Sequence, residues 1–109
     1  MNAVAMGSLS LLLGSTGAVC AGDAATNWMA NCVPCHGKSG AADTVMGKKL
    51  KAKNLTDPAV QAGFSDTEAA EAIKHGVNRD GHVRMIAFGD KLSDNEIKAL
   101  VAYVRTLKK

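Results

Sequence analysis

The sequence is poor in aromatic residues, cysteine and proline, and it lacks several patterns that would assign a function directly. Aromatic residues make up only 4% of the 109 residues, so we do not expect a core built on side-chain rings. Internal repeats, low-complexity tracts and strand-like alternation are missing, which favours one small helical domain. The net charge is only +3, without a basic stripe of base-reading or stacking side chains, so nucleic-acid binding is not expected.

The first 22 residues contain no charged side chain. Four leucines form an apolar centre that is too short to span a bilayer, and small residues follow it. This pattern is typical of a secretory signal peptide. We therefore predict a signal peptide over residues 1–21 (with cleavage after Ala18 as an alternative), a functional domain over residues 22–109, and export to the periplasm. The segment has no basic n-region, so a start further upstream is one alternative. A retained apolar N-terminal anchor and a lipid-bearing Cys20 are two others.

Cys32-Val33-Pro34-Cys35-His36 is the motif on which the functional interpretation depends. Two thiols at this spacing can add to the two vinyl groups of one porphyrin, and the adjacent histidine then lies beneath the iron. The motif predicts one covalent haem c, attached by Cys32 and Cys35, with His36 as proximal ligand. A thioredoxin-like dithiol would need a βαβ pattern, and a zinc site would need further ligands. Both alternatives stay open.

A second axial ligand is expected from the region before the last predicted helix. Met85 lies there, and its thioether is a soft, neutral donor that favours ferrous iron and raises the reduction potential. His82 and Met46 are alternative ligands, and Met85 could instead be a packing residue. Met29 lies on the first predicted helix, on the wrong side of the haem motif to be the second ligand. His75 lies near a helix end, where a surface or capping role is expected.

Three helices are predicted from apolar spacing and capping signals, over residues 23–31, 65–76 and 93–107. The proline of the haem motif is expected to interrupt the first of them. The other two begin with Ser-x-x-Glu capping boxes. The last helix carries an apolar stripe at helical spacing and basic residues at its end, which suits the helix dipole. Residues 37–57 and 78–90 are predicted to be loops.

Together these segments resemble class I c-type cytochromes, the small soluble bacterial monohaem cytochromes c. The resemblance rests on residues 28–37 around the haem motif, 85–88 around the methionine and 92–105 in the last helix. It implies an all-α cytochrome c fold, with the N- and C-terminal helices packed beside one covalently bound haem and Tyr103 near their crossing. Residues 47–51 lack the Gly-Pro pair that often supplies a carbonyl to the proximal histidine in the family, so another carbonyl is expected there.

The resemblance implies a periplasmic one-electron carrier of the respiratory chain rather than an enzyme. His36 and Met85 would fill both axial positions, which excludes substrates and O2. If Met85 is absent from the iron or labile, a haem-based gas sensor or peroxidase-like enzyme is the alternative. The expected partners are a redox donor and acceptor, such as a quinol-oxidising complex and a terminal oxidase, which a monomer would contact peripherally at the membrane. Four lysines either steer an acidic partner or form only a solvated loop: Lys48, Lys49, Lys51 and Lys53.

Overall fold

The computed structural model describes residues 23–109, which form six α-helices, one π-helical turn and a two-stranded sheet. The predicted signal peptide lies outside the described residues and stays a prediction. Within the described part, no helix is both long and apolar enough to cross a membrane. In chain order the elements are α1 (Ala24–Asn27), the π-helical turn (Trp28–Cys32), α2 (Val33–His36), α3 (Val45–Leu50), α4 (Pro58–Ala62), α5 (Asp66–His75), β1 (Val77–Arg79), β2 (His82–Met85) and α6 (Asp94–Arg105).

The first three elements follow one another without a break and deliver the chain to the haem motif. Asp23 starts the path, because its carboxylate accepts the Thr26 N–H at 2.8 Å. The prediction that Pro34 interrupts the helix is wrong, because the interruption precedes it. It is the π-helical turn, in which Val33 N–H bonds to the Trp28 carbonyl. Pro34 lies in the first turn of α2, where its missing N–H leaves no helical bond unmade. The helical path therefore continues to His36.

The two capping boxes predicted for the later helices are confirmed. Ser65 Oγ accepts the Glu68 N–H at 3.0 Å, and the Glu68 carboxylate accepts the Ser65 N–H at 2.8 Å. The same reciprocal pair starts α6 at Ser93 and Glu96. Gly76 ends α5 with a φ of 79°, a conformation in which a glycine carries no Cβ penalty. The start of each of these helices is therefore set by hydrogen bonds within its own first turn.

The core lies between the N-terminal helical path, α5 and α6. α1 packs against α6, and α5 packs against α6. Trp28 is only 1% exposed, and its ring lies 5.5 Å from that of Tyr103 between centroids. The expected contact between the first and last helices is therefore present, with Tyr103 beside it. Four members of the predicted apolar stripe are buried in α6, namely Ile97, Leu100, Val101 and Val104. The fifth, Leu107, lies beyond the end of α6 and is half-buried against the core.

Both predicted loops contain regular structure. The fold is mainly helical, as expected, but it also contains a small sheet that the all-α prediction did not include. The first holds α3, which begins at the N-cap Thr44. The second holds an antiparallel hairpin, in which Val77 pairs with Met85. Asp80 and Gly81 turn it with φ values of 53° and 77°, as a type I′ turn requires. In the sequence, only the Asp-Gly pair indicates this hairpin. Its strands have three and four residues, are mostly exposed, and show no alternation of buried and exposed side chains.

Candidate functional site

The helical path places the two motif cysteines one turn apart, in front of His36. Cys32 is buried and Cys35 is half-buried, and no disulfide joins them. Residues three apart lie on the same side of a helix, so one flat group could meet both sulfurs. Burial, and to a smaller extent the neighbouring Cys35, raises the pKa of Cys32 to about 11. Before any group is attached to its sulfur, the Cys32 thiol is therefore protonated at neutral pH, unlike the low-pKa thiolate of a dithiol oxidoreductase.

His36 ends α2 with its imidazole half-buried and stacked on Trp28. The ring centroids are 5.8 Å apart, at an interplanar angle of 29°. Burial lowers the pKa of His36, and the Lys53 backbone partly opposes this shift, so the ring is neutral, as a metal ligand must be. Its Nδ1 is buried and makes no hydrogen bond within residues 23–109. A neutral imidazole can bind iron through one ring nitrogen while the other donates its N–H to a carbonyl. The buried Nδ1 is the nitrogen that lacks a partner, and the Lys53 backbone is the candidate for the supporting carbonyl.

Met85 is the last residue of β2, half-buried and packed against the core. The other methionines in the described part are more open: Met29 is 50% exposed and Met46 is 44% exposed. His82 lies exposed beside the hairpin turn, and His75 is bound to Glu71 at 3.3 Å on the surface. Met85 is therefore the sulfur that the fold directs inward among the candidate second ligands. α2 packs against α3, and α3 against β2, so α3 connects the haem motif to the strand that ends in Met85.

Large apolar side chains are exposed on the elements around these candidates. Val45 of α3 is 86% exposed, Val83 of β2 is 52% exposed, and Ile86 after β2 is 60% exposed. Exposed apolar side chains of this size are often covered by another apolar surface. A large, flat, mostly apolar ring between α3 and β2 would supply that surface, so these side chains also fit a porphyrin.

The four predicted docking lysines are all exposed, on and just after α3. Lys48 and Lys49 lie in its last turn, where positive charge suits the helix dipole. The ion pairs formed within residues 23–109 join Lys74 to Asp94 and Arg105 to Asp66, and His75 contacts Glu71. No carboxylate in that part of the chain neutralises any of the four lysines.

Residues 37–44 form a loop, as predicted, but the sequence did not reveal that this loop closes over the end of α2. Ala42 N–H donates to the His36 carbonyl at 2.8 Å, and the Thr44 hydroxyl donates to the Cys35 carbonyl at 2.9 Å. Both carbonyls would otherwise be orphan acceptors at a helix end. The sequence signals were Thr44 as an N-cap residue and the glycines of the loop, which adopt positive φ at Gly37 and Gly40.

The described residues bring together no group of three or more His, Cys, Asp or Glu side chains that could hold a metal ion. The zinc interpretation of the motif therefore has no ligand set within residues 23–109. Cys20, the third cysteine, lies outside that range.

Comparison with known proteins agrees with this geometry. Residues 21–104 match the family described as cytochrome c oxidase, cbb3-type, subunit III. Over 78 residues the chain is 40% identical to the "Cbb3-type cytochrome c oxidase subunit FixP" of Azorhizobium caulinodans, an alignment that covers 72% of this chain and 24% of that protein. The chain thus spans about a quarter of the length of that curated relative.

Two solved structures share the fold. The KustC0563 c-type cytochrome is 36% identical with a TM-score of 0.71, over 80% of this chain and 99% of the other. A mutant of that protein gives 35% identity and a TM-score of 0.68, over 79% and 99%. A c-type cytochrome domain carries haem c covalently, which excludes the dithiol and zinc interpretations. The chain therefore belongs to the family of cbb3-type cytochrome c oxidase subunit III, as a c-type cytochrome domain that binds haem c and transfers electrons.

Proposed function

We propose that the chain is a periplasmic one-electron carrier in which Cys32 and Cys35 attach the haem and His36 and Met85 bind its iron. The placement of Met85 carries this proposal, because it is the candidate sulfur that packs against the core while Met29 and Met46 are exposed. When bound, haem c supplies a one-electron couple between ferric and ferrous iron. The neutral His36 and the thioether of Met85 would keep both axial positions filled in both oxidation states.

Met85 belongs to a segment that is fastened to the end of α5. Phe88 N–H donates to the Ile73 carbonyl at 2.8 Å, and Gly89 N–H donates to the Lys74 carbonyl at 3.0 Å. Gly76 lies so close that a Cβ there would come within 2.7 Å of the Met85 carbonyl oxygen. A ligand on a segment anchored in this way is slow to leave the iron. This anchoring favours the electron carrier over the gas sensor or peroxidase, both of which need an open axial position.

The four exposed lysines are proposed to steer an acidic redox partner toward the haem. Because no acidic residue in the described part neutralises them, their field extends into solvent and would speed a weak, salt-sensitive encounter. The curated relative is named as a subunit of a cbb3-type cytochrome c oxidase. We propose an oxidase of this kind as acceptor and a quinol-oxidising complex as donor, each met peripherally by a monomeric carrier. The uncharged apolar leader supports export to the periplasm.

An optical spectrum of the protein, matured in a host that attaches haem c, tests the ligands. We expect a c-type reduced spectrum, a weak far-red methionine–ferric band, and no change on adding CO to the reduced protein. Met85→Ala should abolish the far-red band and admit CO. Met46→Ala is the matched control, because it removes an exposed thioether from the same domain. Ready binding of CO by the wild type, or a far-red band that survives Met85→Ala, would contradict the proposal.

A further inference from the structure

A single hydroxyl joins α3 to the end of the haem motif. Thr44 Oγ accepts the Gly47 N–H at 2.9 Å, which caps α3, and the same hydroxyl donates to the Cys35 carbonyl at 2.9 Å. The Cys35 carbonyl belongs to the peptide bond between Cys35 and His36. The bond from Thr44 therefore acts directly on the backbone that connects the proposed attachment residue to the proposed iron ligand.

The neighbouring backbone is shaped to permit this contact. Gly47 is buried, and a Cβ at this position would clash with the Cys35 carbonyl oxygen and lie 3.0 Å from Thr44 Oγ. Ala42, which donates to the His36 carbonyl, holds a φ of 59°, which a non-glycine residue adopts only where its surroundings enforce it. Two independent features, a donor and a close-packed glycine, thus converge on the same carbonyl group.

We infer that Thr44 is a positioning residue that raises the reduction potential of the haem by holding the peptide bond between Cys35 and His36. The inference rests on the proposed roles of Cys35 and His36. Hydrogen bonds next to a metal ligand fix its orientation and tune the metal. The Thr44 hydroxyl compensates the partial negative charge of the Cys35 oxygen. Without that donor the uncompensated dipole favours ferric over ferrous iron, so the potential falls.

The test compares the midpoint potentials of Thr44→Val, Thr44→Ser and Ser65→Ala with that of the wild type. Thr44→Val keeps the shape of the side chain and removes both the donor to Cys35 and the N-cap of α3, whereas Thr44→Ser keeps both. Ser65→Ala is the matched control, because it removes the N-cap bond of α5 without touching the haem motif. We expect Thr44→Val to retain covalent haem and the far-red band and to lower the ratio of ferrous to ferric haem at fixed potential about threefold, or about 28 mV. Thr44→Ser and Ser65→Ala should keep the wild-type potential.

A potential of Thr44→Val equal to that of the wild type, or a potential of Thr44→Ser equal to that of Thr44→Val, would overturn the inference. A measurement without mutation covers the case in which Thr44→Val fails to mature. In the reduced wild type, the hydroxyl proton of Thr44 should give a slowly exchanging NMR signal, and fast exchange with water would overturn the bond to Cys35. A wild-type spectrum without methionine-ligated haem c would refute the proposed function itself, and the two failures are therefore distinguishable.

Discussion

The two proposed axial ligands lie in regions that hold them in different ways. His36 ends a continuous helical path, and its ring stacks on Trp28, the most buried aromatic side chain among the described residues. Met85 ends a hairpin strand, and backbone hydrogen bonds and the glycine at the end of α5 hold the segment that follows it. The histidine side therefore depends on side-chain packing in the core, whereas the methionine side depends on close backbone contacts.

Because of this difference, we expect the stability of the fold and the binding of Met85 to the iron to respond to different substitutions. A change in the packing under His36 should weaken the whole fold, because Trp28 also contacts Tyr103 of the last helix. The covalent bonds to two cysteines would still keep the histidine beneath the iron. A change in the backbone beside Met85 should release the methionine while the core stays intact. Variants on the two sides therefore test whether the stability of the fold and the ligation of the iron are independent.

The largest effect is expected on the histidine side, from Trp28→Ala. Removal of a fully buried aromatic side chain leaves a cavity and costs about 3–5 kcal/mol of stability. The far-red methionine band should persist in the folded fraction, because backbone hydrogen bonds to the end of α5 hold the segment that follows Met85. Denaturant unfolding followed by haem absorbance measures the loss of stability.

Trp28→Phe is the matched control for this variant. It keeps a stacked ring beside His36 and removes the bond from the indole N–H to the Lys38 carbonyl, which is 3.3 Å long. We expect about 1–2 kcal/mol of destabilisation from the lost volume and the lost bond. Loss of the far-red band in the folded Trp28→Ala protein would show that the two sides are not independent.

The next effect is expected on the methionine side, from Gly76→Ala. Gly76 has a φ of 79°, and its added Cβ would come within 2.7 Å of the Met85 carbonyl oxygen and 3.1 Å of the Ala87 nitrogen. At φ 79° and ψ 178°, a backbone region that is essentially restricted to glycine, an alanine costs about 1–3 kcal/mol. The clash should also push the Met85 segment away. We expect a weakened far-red band and binding of CO by the reduced protein.

Gly81→Ala separates the clash from the backbone strain. Gly81 has nearly the same φ, 77°, but a Cβ at this position meets nothing within 4 Å. This variant should therefore lose roughly 1–2 kcal/mol of stability and keep its far-red band. Equal spectra for Gly76→Ala and Gly81→Ala would mean that the close contact at Gly76 does not hold the ligand.

The elements that could be predicted from the sequence are those whose signals are local. The capping boxes at Ser65 and Ser93 fix the starts of α5 and α6 within their own first turns. The spacing of Cys32, Cys35 and His36 places them on one short helical segment. The hairpin was missed because its short strands are mostly exposed, which leaves only the Asp-Gly turn as a signal.

Contacts between distant residues could not be predicted in this way. Gln61 is buried, and its amide donates to the carbonyls of Leu55 and Val104 at 2.8 Å each. Nothing in the sequence marks this polar side chain as a link between α4 and α6. The inward position of Met85, in contrast to the exposed Met46, also depends on tertiary packing. The sequence supplied the candidate ligands, and the fold distinguishes their surroundings.

The smallest effect on the folded protein is expected from charge changes on α3, which lies between the two sides. Lys48→Glu with Lys49→Glu should leave the far-red band unchanged, because both side chains are exposed and no described carboxylate pairs with them. The rate of electron transfer to an acidic redox partner should fall about tenfold at low salt and converge with the wild-type rate at high salt.

Lys98→Glu with Lys108→Glu changes the net charge equally at exposed positions outside this surface, and it serves as the control. If both double variants slow the reaction to the same extent, the net charge of the protein governs the encounter and α3 is not a docking surface. If only the α3 variant does so, the lysines form a directional surface. The encounter would then be guided to the element that packs against both α2 and β2, where the two proposed iron ligands are held.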